Sequence, residues 1–176
     1  MDIKNNILIA YFSRAGNNYV KGDITDLPIG NTKIIAEKIQ QLTGGLLYEL
    51  KTLKNYPADY NETTKVAMEE LRMRSRPELI SMLEDLHGID IIFLGFPNWW
   101  GTMPMAVFTF LEEYRWKGKR IIPFCTHEGS GLSNSIREIK KTCPEAEVDQ
   151  GIAIYGHEVQ FSEKVIERWL HEIELL

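Results

Sequence analysis

An α/β domain on a mostly parallel, doubly wound five-stranded sheet with helices on both faces is predicted by three observations. The apolar runs Ile7–Phe12 and Ile89–Phe96 are continuous rather than alternating, as in strands covered on both sides. Strand-like runs alternate with stretches of helical period, and parallel strands require crossovers, which are right-handed as a rule. Three loops rich in small and hydrogen-bonding residues, 13–32, 97–103 and 126–131, each follow such a run. Ligands of these sheets bind outside the carboxyl ends of the strands.

The elements follow in order. Ile7–Phe12 reads as a central strand. The polar excursion from Ser13 through Asp26 and Pro28 to Thr32 reads as one long functional loop, with an irregular surface hairpin as the alternative. Ile35, Ile39 and Leu42 recur at helical spacing and stop at Gly44-Gly45, with Asn31 or Thr32 as the natural N-cap. Leu46–Leu50 is a short edge strand, and 61–74 carries a helical pattern through Val66, Ala67 and Leu71. Pro77 is expected to start another helix with Leu79, Ile80, Leu83 and Leu86 inside. Ile89–Phe96 is the strongest strand signal. Pro104 then opens a helix carrying Val107, Phe110, Leu111 and Tyr114 that ends near 117–119. Arg120–Cys125 is the fourth strand, Leu132, Ile136 and Ile139 mark a helix, and 148–155 holds the last strand. Phe161, Val165, Trp169, Leu170 and Ile173 make the apolar stripe of a C-terminal helix.

The 176 residues, 44% hydrophobic and 26% charged, suit one domain over 1–176 with a sizeable core. A net charge of −5, with lysines and arginines scattered among acids, excludes nonspecific nucleic-acid binding and directs any highly charged partner towards a basic one. Residues 1–6 lead into an apolar run too short for a signal h-region or a bilayer span, so a cytoplasmic protein without membrane insertion is expected. Cys125 and Cys143 form no C-x-x-C pair or metal-ligand cluster, which leaves no metal and two structural thiols.

The first loop contains neither G-x-x-x-x-G-K-[ST] nor G-x-G-x-x-G, which disfavours nucleoside triphosphates and dinucleotides. It offers instead the side chains of Ser13, Asn17, Asn31 and Thr32 and the free amides of a helix N-terminus, a set suited to a phosphate monoester. Arg14 either adds a charge there or is a solvated side chain pointing away. In the second loop, Trp99 and Trp100 between Pro97 and Gly101 form either a ledge for a flat aromatic ligand or a cap on the core. His127-Glu128, His157-Glu158 and His171-Glu172 lack the second histidine of H-E-x-x-H, and no G-x-S-x-G occurs. Glu112-Glu113 and Glu62, Glu69 and Glu70 read as solvated helix faces or as part of a docking patch.

Taken together, the strand, Ser13-Arg14-Ala15-Gly16 and Gly30-Asn31-Thr32, then G-F-P-N-W-W-G after the third strand and T-H-E-G-S-G after the fourth, resemble the flavodoxin-like flavoproteins over essentially the whole chain. The likeness is to a bacterial branch with an insertion in the phosphate loop. It implies strand order 2-1-3-4-5 and a noncovalent FMN. By this resemblance the phosphate lies at Ser13, Asn31 and Thr32 with Arg14 alongside. Pro97, Asn98, Trp99, Trp100 and Gly101 line the isoalloxazine, and Thr126, Gly129, Ser130 and Gly131 close its other side. Two departures stand out: 126–131 contains no tyrosine to stack on the outer ring face, and the usual S/T-x-T-G-N-T loop is interrupted.

The implied function is electron transfer, in which the flavin performs the chemistry and no side-chain acid or base is required. The alternative is an FMN-dependent NAD(P)H:quinone or related small-molecule oxidoreductase, with His127 in reach of flavin or substrate or simply on the surface. A cofactor-free interaction module is the third possibility. The partner is accordingly a redox protein or a small-molecule acceptor, and the chain a monomer or dimer.

Overall fold

A computed structural model describes residues 6–176; residues 1–5, which lead into the first strand, lie outside the described residues. Ile7–Tyr11 (β1) is buried along its whole length, as its unbroken apolar run requires. Leu46–Glu49 (β4) and Ile91–Pro97 (β5) flank it, Arg120–His127 (β6) follows β5, and Glu147–Val148 (β7) and Ile152–Tyr155 (β8) share the far side of β6. All these pairings are parallel. The order β4-β1-β5-β6-β7 is the expected 2-1-3-4-5, with its last position split in two. Pro123 in the middle of β6 has no N–H to give that edge, and the ladder breaks between Val148 and Ile152.

Alternate residues of the strands feed two cores. Leu8, Ala10, Leu94 and Phe96 face helix Met105–Glu113 (α3) and Ile139 of helix Ser135–Thr142 (α4). Ile7, Ile9, Phe93 and Phe124 face Ile35 and Ile39 of helix Asn31–Thr43 (α1) and Ile166, Trp169 and Leu170 of helix Glu163–Glu172 (α5). Burying one such side chain contributes about 1.5–3 kcal/mol and an exposed ion pair about 0–1, so this sandwich dominates stability. Helix Tyr60–Met73 (α2) runs beside α3 and is capped by the Asp59 carboxylate, which accepts the Glu62 amide at 2.8 Å. Among the described residues no helix is long and apolar enough to cross a membrane.

Several expectations are corrected. The segment 13–32 is not one long loop but takes the hairpin alternative, in regular form: Gly16–Val20 (β2) and Asp23–Leu27 (β3) pair antiparallel. Lys21 and Gly22, at φ 50° and 100°, supply the two positive dihedrals of a tight primed turn, a signal carried by glycine in a polar context. The helix expected from Pro77 does not form. Leu79 bridges Thr52 in antiparallel fashion, with Leu53 and Ile80 amides bonded to Glu78 and Lys51 carbonyls, so Leu79 is buried while Ile80 is 60% exposed. That alternation has the period of extended chain.

Helix α1 is capped by Gly30 rather than Asn31 or Thr32. Helix α3 stops at Glu113 because the buried Trp116 folds back, its Nε1 donating to the Leu111 carbonyl at 2.6 Å. At the C-terminus a 3-10 helix, Gly156–Phe161, precedes α5 and rotates the stripe. Ile166 points inward, whereas Phe161 is 86% exposed and Val165 is exposed.

Candidate functional site

Ser13, just beyond β1, reaches across the first turn of α1, and its Oγ accepts the Lys33 amide at 3.1 Å. It thereby caps a helix whose own N-cap, Gly30, has no side chain to do so. The segments 13–14 and 30–32 meet here only because residue 30 is glycine. A Cβ at this position would lie 2.2 Å from Ser13 Oγ and 2.8 Å from the Arg14 carbonyl. The amides of Asn31 and Thr32 belong to the first turn and have no acceptor within the helix. The buried Thr32 hydroxyl lies 2.8 Å from that of Thr126 at the end of β6.

Arg14 does not point to solvent. Its guanidinium donates to the carbonyls of Asn17, Pro57 and Ala58, and burial pulls its pKa down from the ordinary value. It therefore fastens the base of the hairpin to the loop before α2 rather than presenting a free charge. The hairpin is held at two further points: Asn17 Oδ1 accepts the Tyr60 amide at 2.9 Å, and the Tyr19 and Tyr60 rings stack with centroids 6.1 Å apart. At its tip the Lys21 amide donates to Glu128 Oε2 at 3.1 Å. Glu128 also accepts the His157 amide and sits 2.8 Å from His157 Nδ1.

The tryptophan loop is a two-residue turn. Trp99 and Thr102 exchange backbone hydrogen bonds, with Trp100 at φ 55° and Gly101 at φ 80°. A bulky side chain at positive φ is a strained choice of the kind that clusters at functional sites. It is held by the Trp100 indole N–H, which donates to the Thr64 carbonyl of α2 at 2.9 Å. Trp99 turns inward and meets Phe12 and Tyr56 edge to face. Asn98 braces both loops: its Nδ2 donates to the Gly131 carbonyl at 2.7 Å and its Oδ1 accepts the Gly101 amide at 3.0 Å. The Pro97 end of β5 pairs with Thr126, while Gly129 and Gly131 take positive φ as the chain turns towards α4.

Burial favours the neutral form of two titratable groups nearby, His127 and Cys125. His127 accepts the Gly129 amide at Nδ1, which puts the ring proton of the neutral form on Nε2, and burial lowers its pKa. Burial pushes the Cys125 thiol up to about 12, so it remains protonated.

Two adjoining cavities open on these groups. One of about 130 Å³ borders Asn31, Thr32, Thr126, His127 and Glu128; the other, of about 480 Å³, borders Thr63, Ala67, Trp100, Gly101 and Ser130. Arg14, Asn18, Tyr60, Asn98 and Trp99 line both. A wider groove of about 790 Å³ lies on the outer side of 13–17, between 49–52 and 55–59, and touches none of Asn31, Thr32 and the tryptophans. The paired cavities are the candidate site because they join the helix N-terminus to the aromatic turn.

The structure thus brings Ser13, Arg14, Asn31, Thr32, Pro97, Asn98, Trp99, Trp100, Gly101, Thr126, Gly129, Ser130 and Gly131 to one end of the sheet, with the Arg14 guanidinium bound to backbone carbonyls. It adds residues that sequence reasoning missed: Asn18 and Tyr19 of the hairpin, Tyr60, Thr63 and Thr64 of α2, and Gly156. Tyr56-Pro57-Ala58-Asp59-Tyr60 carried a signal in its two tyrosines beside a capping aspartate, but nothing in it reported the pairing with Tyr19.

The profile of the family described as Flavodoxin matches residues 6–173. The chain belongs to the flavodoxin family. A crystal structure of a flavoprotein from Bacteroides eggerthii is 32% identical with a TM-score of 0.75, covering 96% of this chain and 97% of that one. A flavoprotein from Bacteroides uniformis is 28% identical with a TM-score of 0.70, covering 93% and 98%. A Lactobacillus acidophilus flavoprotein solved in complex with FMN is 22% identical, covers 94% and 98%, and has a TM-score of 0.65, a likeness of fold. No curated protein matches this flavodoxin-family chain.

Proposed function

We propose that the chain binds FMN noncovalently in the paired cavities and serves as an electron carrier. The observation that carries this reading is the continuity of the cleft from the amides of Asn31 and Thr32, which have no acceptor among the described residues, to the Trp99–Thr102 turn. Backbone N–H groups at a helix N-terminus suit a phosphate, and the closeness of Gly30 to Ser13 shapes the loop around it. Asn31, Thr32 and Ser13 would hold the phosphate. Trp99, Trp100 and Tyr60 would border the ring, and Asn98 would fix the spacing of the two ring loops. Bound FMN supplies reversible one- or two-electron chemistry, while these residues orient it and exclude water. Tyr60, stacked on Tyr19, provides an aromatic wall from α2 where 126–131 contains no tyrosine.

The test is reconstitution with FMN followed by calorimetric titration. Saturable one-to-one binding with flavin absorbance is expected, and its absence overturns the reading. The second reading, an FMN-dependent NAD(P)H:quinone or related oxidoreductase, is favoured by the half-exposed Trp100, 51% exposed at the cavity wall. Steady-state oxidation of NAD(P)H with a quinone decides between them: turnover supports the oxidoreductase, and a one-electron course of reduction without turnover supports the carrier.

A further inference from the structure

We propose that the groove behind Trp100 is a second ligand site, which takes a compact apolar or aromatic body bearing a sulfonate, carboxylate or phosphate group. The groove has a volume of about 520 Å³, within the size range of small-molecule pockets. Trp100 lines it and also lines the ring-side cavity, so the indole is a partition between the two.

The floor is apolar, from Leu71, Met105 and Phe108, and the rim is cationic. Arg76 is already engaged within the fold, making two bonds to Glu112, at 2.8 and 2.7 Å, and lying 5.1 Å over the Phe108 ring. Arg137 lies 3.6 Å from Glu138 but keeps an exposed side chain. Arg74 and Lys141 have no ion-pair partner among the described residues. Four cations against two carboxylates invert the charge of a chain whose net charge is −5. Thr102, 6% exposed, lines the same groove, and its hydroxyl has no partner among the described residues. A concave, cation-rimmed, apolar-floored site selects an anion with an apolar body, whereas the composition alone pointed to basic partners. This deepens the proposed function by naming the class of molecule that would exchange electrons beside the flavin, and for that role it rests on the FMN reading.

The experiment is calorimetric titration of the FMN-loaded protein with anthraquinone-2-sulfonate, and with neutral 2-(hydroxymethyl)anthraquinone as control. The sulfonate is expected to bind one-to-one, to weaken as salt is raised, and to weaken about tenfold in the exposed double variant Arg137→Gln/Lys141→Gln, with FMN affinity unchanged. Equal binding of the neutral compound, undiminished binding in the double variant, or displacement of FMN by the probe would each overturn the site. Flavin absorbance is read independently. A yellow protein that ignores the probe overturns this site alone, whereas a colourless protein that binds it supports the site and overturns its role in electron exchange.

Discussion

The hydroxyls of Thr32 and Thr126 lie 2.8 Å apart in a buried hydrogen bond that ties the first turn of α1 to the carboxyl end of β6. The proposed phosphate side and the loop that follows β6 therefore share one contact. Replacing Thr32 by valine keeps the volume and strands the Thr126 hydroxyl, at an expected cost of about 1–3 kcal/mol. The double variant Thr32→Val/Thr126→Val should cost less than the sum of the two single variants. Denaturant unfolding of the four proteins measures the coupling, and additive losses would mean that the two hydroxyls act independently.

Gly30 and Gly22 separate two uses of glycine. An added Cβ at Gly30 would strike Ser13 Oγ and the Arg14 backbone, whereas at Gly22 it meets nothing within 4 Å and only the φ of 100° opposes it. Gly22→Ala is expected to cost about 1–2 kcal/mol and leave FMN affinity within a few-fold. Gly30→Ala should open the phosphate loop and abolish measurable FMN binding. FMN titration of the two variants checks this contrast, and equal affinities would separate the loop's closeness from its function.

How far the site could be read in advance depended on where its residues sit. The continuous runs Ile7–Phe12 and Ile89–Phe96 announced the central strands, and the Gly-, Ser- and Asn-rich stretches after them announced the loops, because those patterns are local. The hairpin 16–27 was legible only as the alternative to one long loop: its strands are short and polar, bury little, and are held by Arg14, Asn17 and Glu128 through contacts distant in sequence. The false helix after Pro77 arose because Leu79, Leu83 and Leu86 fit a helical period by chance. The backbone bonds of Leu53 and Ile80 decided the matter, and no pattern within 77–86 contains them. Tyr60 was missed for the same reason, since its relation to Tyr19 is tertiary.

Arg14 is expected to act as a fastener rather than an anion receptor. Arg14→Lys retains the charge but cannot span the carbonyls of Asn17, Pro57 and Ala58 with one planar group. Hydrogen exchange in 16–27 should then accelerate, with a global loss of about 1–2 kcal/mol. Unchanged exchange in the hairpin would return Arg14 to a direct role at the phosphate.

Glu70 gives the stability a pH dependence. Burial raises its pKa above the ordinary value of 4.5, outweighing the opposing pull of the Tyr56 hydrogen bond and of Lys54. The folded state therefore holds its proton to higher pH than the unfolded chain, so this contribution is present at low pH. It is lost as pH rises from 4.5 through the raised folded value. Glu70→Gln, which can still accept the Tyr56 hydroxyl, should flatten stability across that window. Denaturant midpoints measured from about pH 4 upward test it, and identical slopes in the two proteins would assign the dependence elsewhere.

Trp100 combines a strained backbone, a tether and a wall, and two substitutions take these apart. Trp100→Gly relieves the φ of 55° but removes both the ring and its bond to Thr64. Trp100→Phe keeps an aromatic face and the strain while losing only the tether, worth about 0.5–1.5 kcal/mol. If the indole serves as a wall for the flavin, FMN affinity should fall by a few-fold in the phenylalanine variant and by at least about tenfold in the glycine variant, even where the latter unfolds no more easily. Fluorescence titration with FMN beside denaturant unfolding gives both quantities for each protein. Equal losses of affinity would mean that the Nε1–Thr64 tether, by fixing the turn, matters more than the ring face it presents.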